Sequence, residues 1–352
     1  MTLQQTVARI MPPDETSMAA ARQRFADIAM PIGALGLLQE AVVRLAGMQR
    51  TARPRIDRRA VVVFCADNGV VRQGVTQCGQ EITALVADNM GRGRSAVCLM
   101  AKHIGADVLP VDIGVAQPVK SGRVLDRRIR PGTADMTQQP AMTRGEAVRA
   151  VETGIELAAH CAEQGYTLLC TGEMGIGNTT TSAAVTAALT GAPVELVTGR
   201  GAGLSTEGLQ NKRAAIRAAL KLHRPDPAYP LDVLHKVGGL DIAALAGLCL
   251  GGAACGLPVM LDGVIAGAAA LAAVRLCPAA RGYLLASHCS DEPAARLLLD
   301  ALDLRPFITA GMRLGEGTGA VAAVSLLDLT LAAYDGMLTF DELGMEAYTE
   351  QA

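Results

Sequence analysis

The stretch Thr167-Leu168-Leu169-Cys170-Thr171-Gly172-Glu173-Met174-Gly175-Ile176-Gly177-Asn178-Thr179-Thr180-Thr181 passes from a short apolar run into a glycine loop and then into an Ala-rich segment. A buried strand, a tight turn and a helix read in that order. The same texture recurs on both sides. Ala60–Ala66, Asp107–Val115, Pro258–Leu261 and Tyr283–Ala286 are further candidate strands, each separated from the next by Ala-rich helical sequence. Alternation of this kind predicts an α/β fold with a parallel sheet flanked by helices. The strands end in polar or glycine-bearing groups: Asp67-Asn68-Gly69, Thr171-Gly172-Glu173, Asp262-Gly263 and Ser287-His288-Cys289-Ser290. Ligands bind outside the carboxyl ends of such strands, so these groups are expected to converge on one cleft.

Working outward, the ends of the chain read as helix. Ala19–Met30 and Leu35–Met48 have amphipathic spacing interrupted by Pro31, and residues 320–352 return to helix. Thr143-Arg144-Gly145-Glu146 makes a capping box. The arginine-bearing segment 120–140 reads as a loop. Residues 242–261 carry no charge and mimic a membrane span, but their glycines and Pro258 predict a buried helix followed by a buried strand.

Composition narrows the function. The chain has 352 residues, with 32 Lys+Arg against 34 Asp+Glu and a net charge of −2, which argues against affinity built on nucleic-acid phosphates. With no Trp, four Phe and five Tyr, it has few rings on which to stack bases. Nine scattered cysteines without a C-x-x-C pair, and an N-terminus without a secretory apolar region, predict a cytoplasmic protein with no membrane segment. The five histidines are isolated, so no metal site is expected.

Three glycine stretches carry candidate chemistry. Gly175, Gly177, Asn178 and Thr179 open a helix and offer an anion site, although a Thr-rich cap would have the same sequence. Gly199-Arg200-Gly201-Ala202-Gly203 precedes a helical segment containing Lys212, which reads either as a phosphate ligand or as a surface lysine. Leu314-Gly315-Glu316-Gly317-Thr318-Gly319 opens an apolar helix. Glu316 there reads as a general base in an apolar pocket, or as a partner of the helix dipole.

Together, Glu173-Met-Gly-Ile-Gly-Asn-Thr-Thr, Lys236-Val-Gly-Gly-Leu-Asp241, Leu261-Asp-Gly-Val-Ile265 and Arg313-Leu-Gly-Glu-Gly-Thr-Gly-Ala320 resemble the nicotinate-nucleotide–dimethylbenzimidazole phosphoribosyltransferase family, in one order from about Pro31 to residue 335. The resemblance implies transfer of the phosphoribosyl group of nicotinate mononucleotide to a lower-ligand base during cobamide assembly, by a homodimer that needs no cofactor. It also implies a Rossmann-like α/β catalytic domain over 56–319 and a small helical domain built from both chain ends, 1–55 plus 320–352. It puts the general base on Glu316 and a second pocket carboxylate on Glu173. It puts substrate contacts on Gly175, Gly177, Asn178, Thr179, Gly201, Lys212, Asp262 and Ser290. The lower-ligand base pocket falls on Thr76, Cys78, Leu85 and Leu314. Asp67-Asn68-Gly69-Val70 and Gly74-Val75-Thr76-Gln77-Cys78-Gly79 depart from the family's Asp-His-Gly-Val and Gly-Val-Ser-Ala-Tyr-Pro. Leu85 stands where a glutamine is expected, and Ala34 where the family often has serine. A nucleotide glycohydrolase, or the partner subunit of a heteromeric transferase, would share most of these motifs.

Overall fold

In the computed structural model, whose described residues are 1–349, the apolar run near residue 60 becomes the central strand of a six-stranded sheet. The strands are β1 (Arg59–Ala66), β2 (Asp107–Gly114), β3 (Leu125–Asp126), β4 (Leu168–Met174), β5 (Val259–Leu261) and β6 (Leu284–Ala286). All pair in parallel, in the order β3-β2-β1-β4-β5-β6. β1 is buried along its whole length, and a strand covered on both faces reads as a continuous run of Val, Phe and Cys. The order reverses between β1 and β4. Two connections therefore depart in opposite directions from adjacent strand ends, and a crevice opens between them.

Among the described residues, fourteen α-helices surround the sheet. Before β1 come α1 (Leu3–Arg9), α2 (Glu15–Asp27) and α3 (Leu37–Gln49). α2 begins four residues earlier than its apolar spacing suggested, because the Asp14 carboxylate accepts from the Ser17 N–H at 2.8 Å and caps it. Between β1 and β4 lie α4 (Glu81–Gly91), α5 (Ala96–His103) and α6 (Arg144–Glu163). α6 opens on the Thr143–Glu146 capping box, both of whose reciprocal hydrogen bonds are present. Segment 120–140 is mostly loop and contributes only the two residues of β3.

After β4 come α7 (Asn178–Thr190), α8 (Val194–Val197), α9 (Thr206–His223), α10 (Pro230–Val237) and α11 (Leu240–Ala254). The uncharged stretch 242–261 resolves into α11, buried almost throughout, followed by β5. Its glycines allow close packing: a methyl group on Gly247 would overlap the Val151 carbonyl of α6. α12 (Val264–Leu276) follows β5, α13 (Ala294–Ala301) follows β6, and α14 (Thr318–Gly336) closes the described fold. α14 packs on α3 and on α5, β4 and β5, and the Arg59 guanidinium pairs with Asp328 through two hydrogen bonds. By length and composition α14 could cross a membrane, but half of its most apolar stretch is buried in the protein.

Candidate active site

The crevice between β1 and β4 opens into a cleft with about 1180 Å³ of empty space, counting its mouth. β4 runs to Met174, three residues beyond the expected strand, and carries Glu173 to the cleft floor. Glu173, Gly175, Gly177, Asn178, Thr179, Gly201, Asp262, Ser290 and Glu316 all line it, as do Thr76, Cys78 and Leu314. Leu85 does not. It lies on α4 with 56% of its surface exposed and is not part of the cleft lining, because the helical register turns it outward.

At one end of the cleft, Gly177 takes φ +93° and lets α7 start against the cleft floor. Lys212 reaches this end from below. It is fully buried, and its ammonium donates to Thr179 Oγ1 at 2.8 Å directly behind Gly201. The surface-lysine alternative is thereby excluded. Burial draws its pKa down to about 8, with only Glu292 opposing the shift. Glu292 accepts from the Gly201 N–H at 3.0 Å and so fixes the glycine loop over the lysine. A buried cation, a helix N-terminus and open backbone make a site for a doubly charged anion.

At the other end, Gly315, Glu316 and Gly317 have φ of +88°, +61° and +96°. Three left-handed residues in succession make a sharp turn, and Glu316 holds a conformation that costs a non-glycine residue about 1 kcal/mol or more. The turn is pinned by Asp262. One of its oxygens accepts from the Gly317 N–H at 3.1 Å, and the other from the Gly319 and Ala320 N–H groups at 2.8 and 3.2 Å. The motif resemblance puts Asp262 among the substrate ligands. Asp262 lines the cleft, and its carboxylate also caps α14, an arrangement that only the folded chain brings together. Burial raises the pKa of Asp262 and lowers that of its neighbour His288.

Glu316 is half-buried at the cleft, and its carboxylate has a polar neighbour: Oε2 accepts from the Val97 N–H at 3.2 Å, in the first turn of α5. Close packing holds the turn against β4, since a methyl group on Gly172 would come within 2.6 Å of the Glu316 carbonyl oxygen.

Between the two ends, the Asn178 amide donates to Glu173 Oε2 and, at 3.0 Å, to Asp241 Oδ2. Both of its hydrogens are thereby engaged with protein carboxylates, so Asn178 acts here as a bridge. Burial first, and then the Asp241 charge, push the Glu173 carboxyl up to about 8. Burial raises Asp241 to about 6 and Asp67 to about 6. Asp241 falls within one of the resembling motifs, yet nothing in the sequence marks it as a site residue. As the second residue of an apolar helix it resembles an ordinary partner of the helix dipole.

The loop holding Thr76 and Cys78 forms one wall. The Thr76 hydroxyl donates to the Cys78 carbonyl at 2.7 Å, and burial raises the Cys78 thiol. Gln77, unremarkable in the sequence beyond its departure from the family pattern, donates to the Ala202 carbonyl at 3.1 Å and to that of Gly203. It ties this wall to the glycine loop over Lys212.

A family model described as Phosphoribosyltransferase matches residues 10–345. The chain is 48% identical over 349 residues to the nicotinate-nucleotide–dimethylbenzimidazole phosphoribosyltransferase of Roseiflexus sp. strain RS-1, covering 99% of both chains. It is 44% identical over 348 residues to the enzyme of the same name from Ruminiclostridium cellulolyticum strain H10, again covering 99% of both. Among solved structures, that of CobT from Thermus thermophilus superposes with a TM-score of 0.90 at 44% identity, covering 95% of this chain and 100% of that one. The strand-end cleft and full-length similarity agree with the motif resemblance: this chain belongs to the phosphoribosyltransferase family whose members carry the name nicotinate-nucleotide–dimethylbenzimidazole phosphoribosyltransferase.

Proposed function

We propose that the protein transfers the phosphoribosyl group of nicotinate mononucleotide to a benzimidazole-type base, giving an α-ribazole 5′-phosphate-type product and nicotinate. The carrying observation is the left-handed Gly315-Glu316-Gly317 turn, which brings one carboxylate to the same cleft as the α7 N-terminus and the glycine loop backed by Lys212. An anion grip and a base in one cleft suit displacement at a ribose carbon held by its 5′-phosphate.

In this reading the 5′-phosphate lies over Gly175–Thr179, Gly201 and Lys212, beside Ser290. The unprotonated ring nitrogen of the incoming base attacks C1′ as the bond to the nicotinate nitrogen breaks. That electron pair leaves with nicotinate, and Glu316 takes the proton from the other ring nitrogen of the base. Attack from the face opposite the leaving group inverts C1′. Glu173 on the cleft floor faces the positive charge that develops on the sugar. Thr76, Cys78 and Leu314 form the wall for the base. The same reading carries a homodimer, a cytoplasmic setting, and a helical unit built from both chain ends.

The test mixes purified protein, nicotinate mononucleotide and dimethylbenzimidazole and follows nicotinate. Release that depends on the base supports transfer. Base-independent release would make the protein a glycohydrolase, and no release from the protein alone would make it a partner subunit.

A further inference from the structure

We propose that Asp241 is a positioning residue for the transfer reaction, which through the shared Asn178 amide keeps Glu173 neutral until a nucleotide with a cationic ring enters. The proposal rests on the reading of the cleft given above.

Two buried carboxylates share one amide donor. Asn178 supplies two hydrogens, one to each acid, while Asp241 Oδ1 has no hydrogen-bond partner. Among the described residues neither acid takes part in an ion pair, although each ionised carboxylate can accept several hydrogen bonds. With one shared amide as their side-chain donor and no cation paired to either, the two buried acids do not both ionise, so one keeps its proton.

Position decides which. Asp241 lies in the first turn of α11, where its own backbone N–H and that of Ile242 favour the anion. Glu173 has no such support. The charged groups facing it are Asp241 from α11, Asp262 from the end of β5 and Glu316 from the turn before α14. Cys65 of β1 lies in the same field, and Asp67 faces Asp241. All of these are acidic.

The pyridinium nitrogen of nicotinate mononucleotide supplies the missing positive charge. On its arrival Glu173 gives up its proton to solvent and becomes the carboxylate that opposes the developing charge on the sugar. Nucleotide binding is therefore coupled to release of one proton. Removing the Asp241 charge leaves burial as the main force holding the Glu173 proton, which lowers the Glu173 pKa and weakens that coupling.

The test is calorimetric titration of nicotinate mononucleotide, without the acceptor base, in two buffers of different ionisation enthalpy. The wild type should release close to one proton at pH 7. Its nucleotide affinity should fall about tenfold for each pH unit below 8, the value to which Glu173 is raised. Asp241→Asn should release fewer protons and show a weaker pH dependence, with its onset moved to lower pH. In a Glu173→Gln background the same substitution should change neither readout. An undiminished release in Asp241→Asn, or a release that persists in Glu173→Gln, would overturn the proposal. A merely structural role would weaken binding at every pH alike.

Infrared difference spectra serve where Asp241→Asn folds poorly. The carbonyl band of a neutral carboxylic acid should be present in the free wild type, absent from Glu173→Gln, and lost on nucleotide binding. Its absence from the free wild type would also overturn the proposal. Base-dependent nicotinate release by the wild type, measured alongside, separates failure of this inference from failure of the functional reading.

Discussion

Replacing Lys212 by methionine should make the empty protein more stable while removing its hold on the nucleotide. The side chain is fully buried, and its pKa falls from 10.5 to about 8. That difference corresponds to about 3 kcal/mol of unfavourable charge burial at neutral pH. Methionine fills the same space without a charge. It forfeits the hydrogen bond to Thr179 Oγ1, worth about 1 kcal/mol. The net gain is about 2 kcal/mol, or about 3 °C in Tm for a chain of this length. The pH dependence follows from the same shift. Because the folded value lies below the unfolded one, between about pH 8 and 10.5 the unfolded chain binds the extra proton. Raising the pH through that window therefore stabilises the wild-type fold, and Lys212→Met should lose this contribution. Nicotinate mononucleotide should bind the variant about 10- to 100-fold more weakly, the usual loss for a charge-assisted phosphate contact. Dimethylbenzimidazole binding should hold. Thermal melts across pH, with and without nucleotide, read all of this. A variant that melts lower than wild type at pH 7 and binds nucleotide equally well would refute the reasoning.

Glu316→Gln should slow turnover by about 10²–10⁴-fold with nucleotide binding kept. Glu316→Gly should be as inactive yet about 1 kcal/mol more stable, since glycine accepts φ +61° without strain; a destabilised Glu316→Gly would show that the Val97 hydrogen bond outweighs the backbone. Transfer should proceed unchanged in excess chelator, and activity lost there but restored by a divalent cation would contradict the mechanism. The wall formed by Thr76, Cys78 and Leu314 offers few fixed donors, because the Thr76 hydroxyl is already bonded to the Cys78 carbonyl. Competition between paired benzimidazoles, purines and phenols should therefore give modest kcat/KM ratios; a preference of several orders of magnitude for one base would mean that other residues close the pocket.

Five of the six strands were legible because they are largely buried runs bounded by glycine and polar residues, a pattern that local sequence carries by itself; the exposed two-residue β3 was not. The converging strand ends were legible for the same reason. Depth was not. α9 is amphipathic, and whether Lys212 sits at its surface or beneath α7 depends on how those helices pack. Leu85 misleads because a count of residues from a loop does not give the face of the helix that follows. The glycines beside Glu316 read as leaving it unshielded, whereas they also build a left-handed turn. The carboxylate bridge was invisible, since Glu173, Asn178 and Asp241 come from three elements and the last resembles an ordinary helix-start acid.

The turn that carries Glu316 is fastened to groups made much earlier in the chain. Its bond to the Val97 N–H spans 219 residues, and its bonds to Asp262 reach back 55 to 58. Contacts of such separation form late in folding, because each must first overcome the entropy of closing the intervening loop. During synthesis α5 emerges with its N-terminal amide waiting for an acceptor not yet translated. The cleft is thus completed by the docking of the last long helix, and a sheet already in place lacks the Glu316 turn. Recovery of activity during refolding measures the arrival of α14, while recovery of far-ultraviolet ellipticity measures what came before it.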